Sequence, residues 1–173
     1  DYAFGHALER DTSAVVTANG GKVLGGVKHP INTSDFSSFL LQAQASKAKV
    51  IGMANAGGDT TNTIKQASEF GIVAGGQKLA ALLLFINDVH SLGLKTAQGL
   101  TFTDPWYWDR TDESRAWAQR FMARYDNNQP PTYIMAGVYG AVTHYLKGLQ
   151  AAGTDAGPAV MAKMRATPIN DIT

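Results

Sequence analysis

The chain has 173 residues, 45% of them hydrophobic, which is enough to bury a real core in one domain or slightly more. Fifteen basic side chains against fourteen acidic ones give no electrostatic reason to expect nucleic acid or an anionic membrane as partner. No run reaches the roughly 18 apolar residues of a membrane span, and with no cysteine there is no thiolate zinc, iron–sulfur or thiol chemistry. The opening "DYAFGHALERD" lacks an initiator methionine, so the absence of a signal peptide carries no weight.

In chain order, "FGHALERDTSAVVTANGG" sets Leu8, Val15 and Ala18 near one face and ends in Asn19-Gly20-Gly21, a helix stop. "KVLGGV" follows as a short β-rich run. In "TSDFSSFLLQAQASKAK", Phe36, Phe39, Leu40 and Ala43 recur at helical spacing, with Thr33, Ser34 or Asp35 available as cap. "KVIGMA" reads as a strand covered on both faces, because its apolar run lacks strict alternation. Asp59 or Thr60 is placed to cap a helix that carries Ile64, Ala67 and Phe70 and stops at Gly71. "LAALLLFI" and "GLTF" are two further strand candidates, separated by a short helical piece around Val89 to Leu92. Helix and strand alternating in this way predicts a parallel sheet with helices on its faces.

After "TFTDPWYWDRTDE" the regime changes to three helices. Trp117, Phe121 and Tyr125 stripe the first, and Tyr139, Val142, Leu146 and Leu149 the second; "GPAVMAKMRATP" forms a third that ends before Pro168. The change falls at Asp104-Pro105.

Four places invite chemistry. The turn "NAGGDTT" leads from a strand into a helix and reads first as a plain structural turn with an Asp or Thr cap, and otherwise as a ligand loop, where Gly57 and Gly58 let backbone N–H groups approach a bound group. Neither G-x-G-x-x-G nor G-x-x-x-x-G-K-[ST] is present, so no nucleotide site is expected. In "FINDVHSLG", Asp88 follows the most apolar strand candidate and can receive a ligand ammonium, or Asn87 or Asp88 can simply cap the short helix. "DPWYWDR" is either a linker tied down by Trp106 and Trp108 or the wall of a cleft. Tyr139 in "GVYGAV" is either a core tyrosine or a cleft wall. His6, His29, His90 and His144 show no metal-ligand spacing, and no G-x-S-x-G elbow supplies a nucleophile, so an enzyme is the weaker class and no cofactor is expected.

The ordered series "DYAFGHAL", "HPINTSDFSSFLLQAQASKAKVIGMANAGGDTTNTIKQASEFGI", "DVHSLGLKTAQGL", "WYWDRTDESRAWAQRF" and "AGVYGAVTHYLKGLQAAGT" closely resembles the branched-chain amino acid-type substrate-binding proteins of ABC transporters, the type I periplasmic binding proteins. The resemblance implies an α/β fold with a Rossmann-like parallel sheet, one lobe of a clamshell that closes on its ligand. It implies that 1–103 supplies most of the C-terminal lobe without its first strand, 104–111 the interlobe crossover, and 112–173 helices returning to the N-terminal lobe. The function implied is that of a periplasmic receptor that traps a small carboxylate-bearing molecule, a branched-chain amino acid or an aromatic acid, and delivers it to a permease. A ligand-sensing regulator with the same clamshell is the alternative.

Carried over motif by motif, Tyr2 resembles an aromatic wall of the cleft, and Ala56, Gly57 and Gly58 resemble the next ligand loop. Some relatives hold a tyrosine where this chain has Ala56, which implies a more open wall. Asp88, or its neighbour Asn87, resembles the acidic receiver of an ammonium, and Tyr139 a tyrosine facing the cleft.

Overall fold

The computed structural model describes residues 1–125 and 128–173, which divide into two compact units, Asp1–Thr103 and Asp104–Thr173. In chain order the first unit holds helices α1 (Ala3–Ala18) and α2 (Ser37–Ala45), strand β1 (Val50–Met53), α3 (Gly57–Glu69), β2 (Lys78–Ala81), α4 (Ile86–Leu92) and β3 (Thr101–Phe102). The strands pair in the order β1-β2-β3 and all run parallel, with Val50 opposite Lys78, Met53 opposite Ala81 and Ala80 opposite Thr101. This is the expected α/β class, a small parallel sheet flanked by helices.

The core follows from helical period meeting sheet. On α3, Thr60, Thr63, Ile64 and Ala67 are buried at i, i+3, i+4 and i+7, a single face. Ile64 and Ala67 pack with Met53, Leu79 and Ala81 of the strands, with Leu40 of α2 and with Phe36 just ahead of it. Full burial of a side chain such as Ile64 contributes roughly 1.5–3 kcal/mol. Two glutamines tie the layers: Gln77 Nε2 donates to Ala43 O at 3.2 Å and to Ala48 O at 2.9 Å, and Gln66 holds the chain ahead of α2.

Several local expectations are corrected. Residues 22–27 form no strand: Val23, Leu24 and Val27 are exposed, and no described strand stands beside them to supply ladder partners. An extended segment without such a partner is not a strand, whatever its propensity. Of the run "LAALLLFI" only Leu79–Ala81 is strand, because the pairings with β1 and β3 both end at Ala81; Leu82 N–H still reaches Met53 O at 3.1 Å, and Leu84 is buried outside the ladder. Strand β1 is not covered throughout, since it lies at the sheet edge with Val50 exposed. None of the residues expected to cap α2 or α3 is the N-cap: those positions are Phe36 and Ala56, neither with a side-chain cap bond. Asp35 Oδ1 instead accepts the N–H of Ser37, the first residue of α2, at 2.9 Å.

The second unit holds α5 (Asp112–Met122), α6 (Tyr133–Ala152) and α7 (Gly157–Ala166), the three helices expected. Thr111 caps α5 by accepting Ser114 N–H, and Ser114 Oγ accepts Thr111 N–H in return. Trp106 and Trp117 meet edge to face at 5.6 Å over Ala118 and Ala136, with Trp108 packed alongside, and Trp106 Nε1 donates to Ile172 O at 2.6 Å. Trp106 and Trp108 of "DPWYWDR" thus belong to this core. The stripe expected on α6 is mostly exposed, although Tyr139 reaches Trp117. Tyr139, Val142 and Leu146 are exposed, while Ala136, Gly140 and Gly148 are buried.

Candidate functional site

The loop that leaves the carboxyl end of β1 is built around Asn55. Its Oδ1 accepts the Thr60 hydroxyl at 2.9 Å and its Nδ2 donates to Thr63 Oγ1 at 3.1 Å, so the first turn of α3 is tied back onto the loop. Thr63 Oγ1 in turn donates to Asp59 O at 2.7 Å. These bonds lie in a buried setting, where hydrogen-bonded polar groups are costly to disrupt. Gly57 enters the helix at φ +58°, in the left-handed region that a side chain disfavours. On the other side, α1 approaches so closely that a Cβ on Gly5 would stand 3.0 Å from Ala54 O.

That approach brings Tyr2, at the start of α1, to the same hollow as the loop. The hollow measures about 370 Å³, and Tyr2, Ala56 and Gly58 line it together with the 31–34 stretch, Asp59 and Asn62. Among the described residues, Asp59 is the one charged side chain in its wall. Asp59 Oδ2 accepts Asn32 N–H at 3.1 Å, which pins the 31–34 stretch to the first turn of α3. The hollow therefore offers an aromatic ring, a carboxylate and the N-terminal end of a 13-residue helix, where the helix dipole places partial positive charge.

Three of the six residues singled out in the sequence meet in this hollow: Tyr2, Ala56 and Gly58. Gly57 shapes the loop without lining the hollow. Asp88 lies elsewhere in the first unit, as the third residue of α4. Its Oδ2 accepts Phe85 N–H at 3.0 Å, so it stabilises the helix start. Beside it, Asn87 Oδ1 is buried with no hydrogen-bond partner among the described residues. Tyr139 belongs to the second unit, its ring 5.2 Å from that of Trp117 and partly exposed. The wall also takes in Ile31, Asn32 and Asn62, which no motif marks, and Thr33, Ser34 and Asp59, which the sequence offers only as helix caps.

A second hollow of about 330 Å³ lies between the 34–37 stretch and α3, lined by Ser34, Asp35, Gln66 and Glu69 among others. Its polar groups are largely spent on local structure. Gln66 Oε1 accepts Phe36 N–H at 2.7 Å and Gln66 Nε2 donates to Ser34 O at 2.9 Å, while hydrogen bonds from Ser37 hold the Asp35 carboxyl below its usual range. None of the singled-out residues lines it.

Comparison with known proteins covers the whole chain. Residues 1–173 match the family described as periplasmic binding protein. A periplasmic binding protein from Burkholderia mallei is 58% identical over 99% of this chain, with a TM-score of 0.90. A branched chain amino acid ABC transporter periplasmic ligand-binding protein from Burkholderia xenovorans is 37% identical over 99%, with a TM-score of 0.83. A solute binding protein of an ABC transporter from R. palustris, solved with benzoate, is 21% identical over 96% with a TM-score of 0.85, a likeness of fold. The chain spans 45%, 46% and 46% of the lengths of these three. No curated protein matches it.

Proposed function

The chain belongs to the periplasmic binding protein family, and from that membership we propose that it is part of the periplasmic solute receptor of an ABC importer, one that takes a small carboxylate-bearing ligand. Branched-chain amino acids come first, in keeping with the Burkholderia xenovorans relative. The observation that carries the reading is the meeting of Tyr2, Ala56 and Gly58 around one hollow at the carboxyl end of a parallel strand, where open α/β sheets bind ligands.

In this reading residues 1–103 are most of the C-terminal lobe, 104–111 the crossover, and 112–173 the helices that return to the N-terminal lobe. The Tyr2 ring forms an apolar wall, and Gly58 lets the backbone come close to the ligand. Asp88 receives the ammonium of an amino acid through the carboxylate it also uses to start α4. Tyr139 supplies a further wall. No bond is made or broken; closure around the ligand reports occupancy to the permease.

The test is a thermal-shift panel of leucine, isoleucine, valine and benzoate on the full-length protein. A ligand at about a hundred times its Kd adds about 2.7 kcal/mol, a readable rise in Tm. A rise with the amino acids that is lost in Asp88→Asn supports the reading. A rise with benzoate alone keeps the receptor and removes the ammonium role from Asp88. No rise with any of the four rejects this ligand class.

A further inference from the structure

His29 has no metal-ligand spacing in the sequence, yet the structure gives it a specific place. Its Nδ1 lies 2.7 Å from Pro30 O and its Nε2 lies 3.1 Å from Asn55 Nδ2. A carbonyl can only accept, so Nδ1 carries the hydrogen. Asn55 Nδ2 can only donate, so Nε2 presents its lone pair. The orientation of the Asn55 amide is fixed independently. Thr63 Oγ1 spends its hydrogen on Asp59 O and must receive one from Asn55, and Thr60 delivers its hydrogen to Asn55 Oδ1. Turning the amide over would set Asn55 Oδ1 against the oxygen of Thr63.

Both hydrogens of the Asn55 amide and its oxygen are therefore matched, and His29 is the partner that comes from outside the loop and α3. The imidazole is itself held edge-on by Phe36 at 4.8 Å and by Phe39 at 5.9 Å. Asn55 is only 6% exposed, so water cannot easily replace the imidazole.

We propose that His29, as the neutral Nδ1–H tautomer, is a positioning residue for the 54–58 loop, acting through Asn55. Its consequence for ligand rests on the reading of Ala56 and Gly58 as ligand-facing; its effect on the loop does not. Two substitutions separate the hydrogen bond from the packing. His29→Phe keeps an aromatic edge against Phe36 and Phe39 and removes the acceptor. His29→Gln restores an acceptor at the reach of Nε2.

The experiment uses the full-length protein without ligand. Long-range proton–nitrogen NMR spectra of 15N-histidine-labelled protein report the tautomer in the unmutated molecule, and amide hydrogen exchange reports loop opening in the variants. The Nδ1–H tautomer is expected, with exchange of the helical amides 61–64 of α3, which Asn55 ties to the loop through Thr60 and Thr63, faster by about tenfold in His29→Phe, the scale of one lost buried hydrogen bond, and largely restored in His29→Gln. An Nε2–H tautomer, or exchange unchanged in His29→Phe, overturns the proposal. Leucine and benzoate titrations then test the reading beneath it. If the wild type binds one of them, faster exchange in His29→Phe with unchanged affinity upholds the positioning and rejects the loop as a ligand wall.

Discussion

Gly57 shows how one backbone angle shapes the candidate site. At φ +58° a Cβ meets no neighbouring atom within 4 Å, so the penalty of Gly57→Ala is the left-handed conformation alone, about 1–2 kcal/mol. The expected outcome is a Tm lowered accordingly in a denaturation series, with the loss larger than for the same change at Gly58, which has no positive φ. Asp104 makes a prediction of the opposite sign. Burial pushes its carboxyl above the usual carboxylate value, against the lowering effect of the Trp106 N–H that it accepts at 3.2 Å. Its folded pKa lies above the unfolded one, so the folded state binds more protons between the two, and stability falls as pH rises through that window. Asp104→Asn retains an oxygen for Trp106 N–H and removes the buried charge. It should raise Tm modestly at pH 7 and lose that advantage below the ordinary aspartate range, which melts at pH 3 and pH 7 would check. Neither effect was legible in the residue type. A glycine pair announces a turn, but only the fold says which glycine needs the positive angle.

At the scale of elements, periodicity located the helices better than it located their contact faces. On α6 the apolar stripe Tyr139, Val142 and Leu146 stays exposed, and the helix meets α7 through Gly148. A Cβ there would lie 2.6 Å from Met164 Cγ and 3.5 Å from Val160 O, so the helices approach because no side chain separates them. Gly148→Val should cost about 1–3 kcal/mol by overpacking, read as a lower midpoint in urea. If stability is unchanged, the α6–α7 contact is not as close as described. Glycine has no side chain to contribute to an apolar stripe, so periodicity does not mark this face. The run "LAALLLFI" has the converse lesson. Its apolar residues marked burial correctly, but whether they join a ladder depended on where β1 and β3 end, both opposite Ala81.

For the molecule as a whole, the open edge of the sheet decides behaviour in solution. Among the described residues no strand pairs with the outer edge of β1, and Val50 there is exposed, as are Val15 on α1 and Val23, Leu24 and Val27 in the unpaired 22–27 segment. Exposed strand edges and apolar surface recruit other chains. The 173-residue chain by itself should therefore melt without a sharp transition or self-associate as concentration rises, measured by light scattering and calorimetry. A cooperative melt from a strict monomer would count against this.

The sequence by itself determined the α/β class, the helix stops at Asn19 and Gly71 and the family, because these rest on local conformational preference and on the order of motifs. Tertiary structure alone decided which extended segments become strands, which polar groups cap helices, and which residues share a hollow. The reason is distance along the chain. Asn32 meets Asp59 across 27 positions and His29 meets Asn55 across 26, and no local pattern encodes partners so far apart.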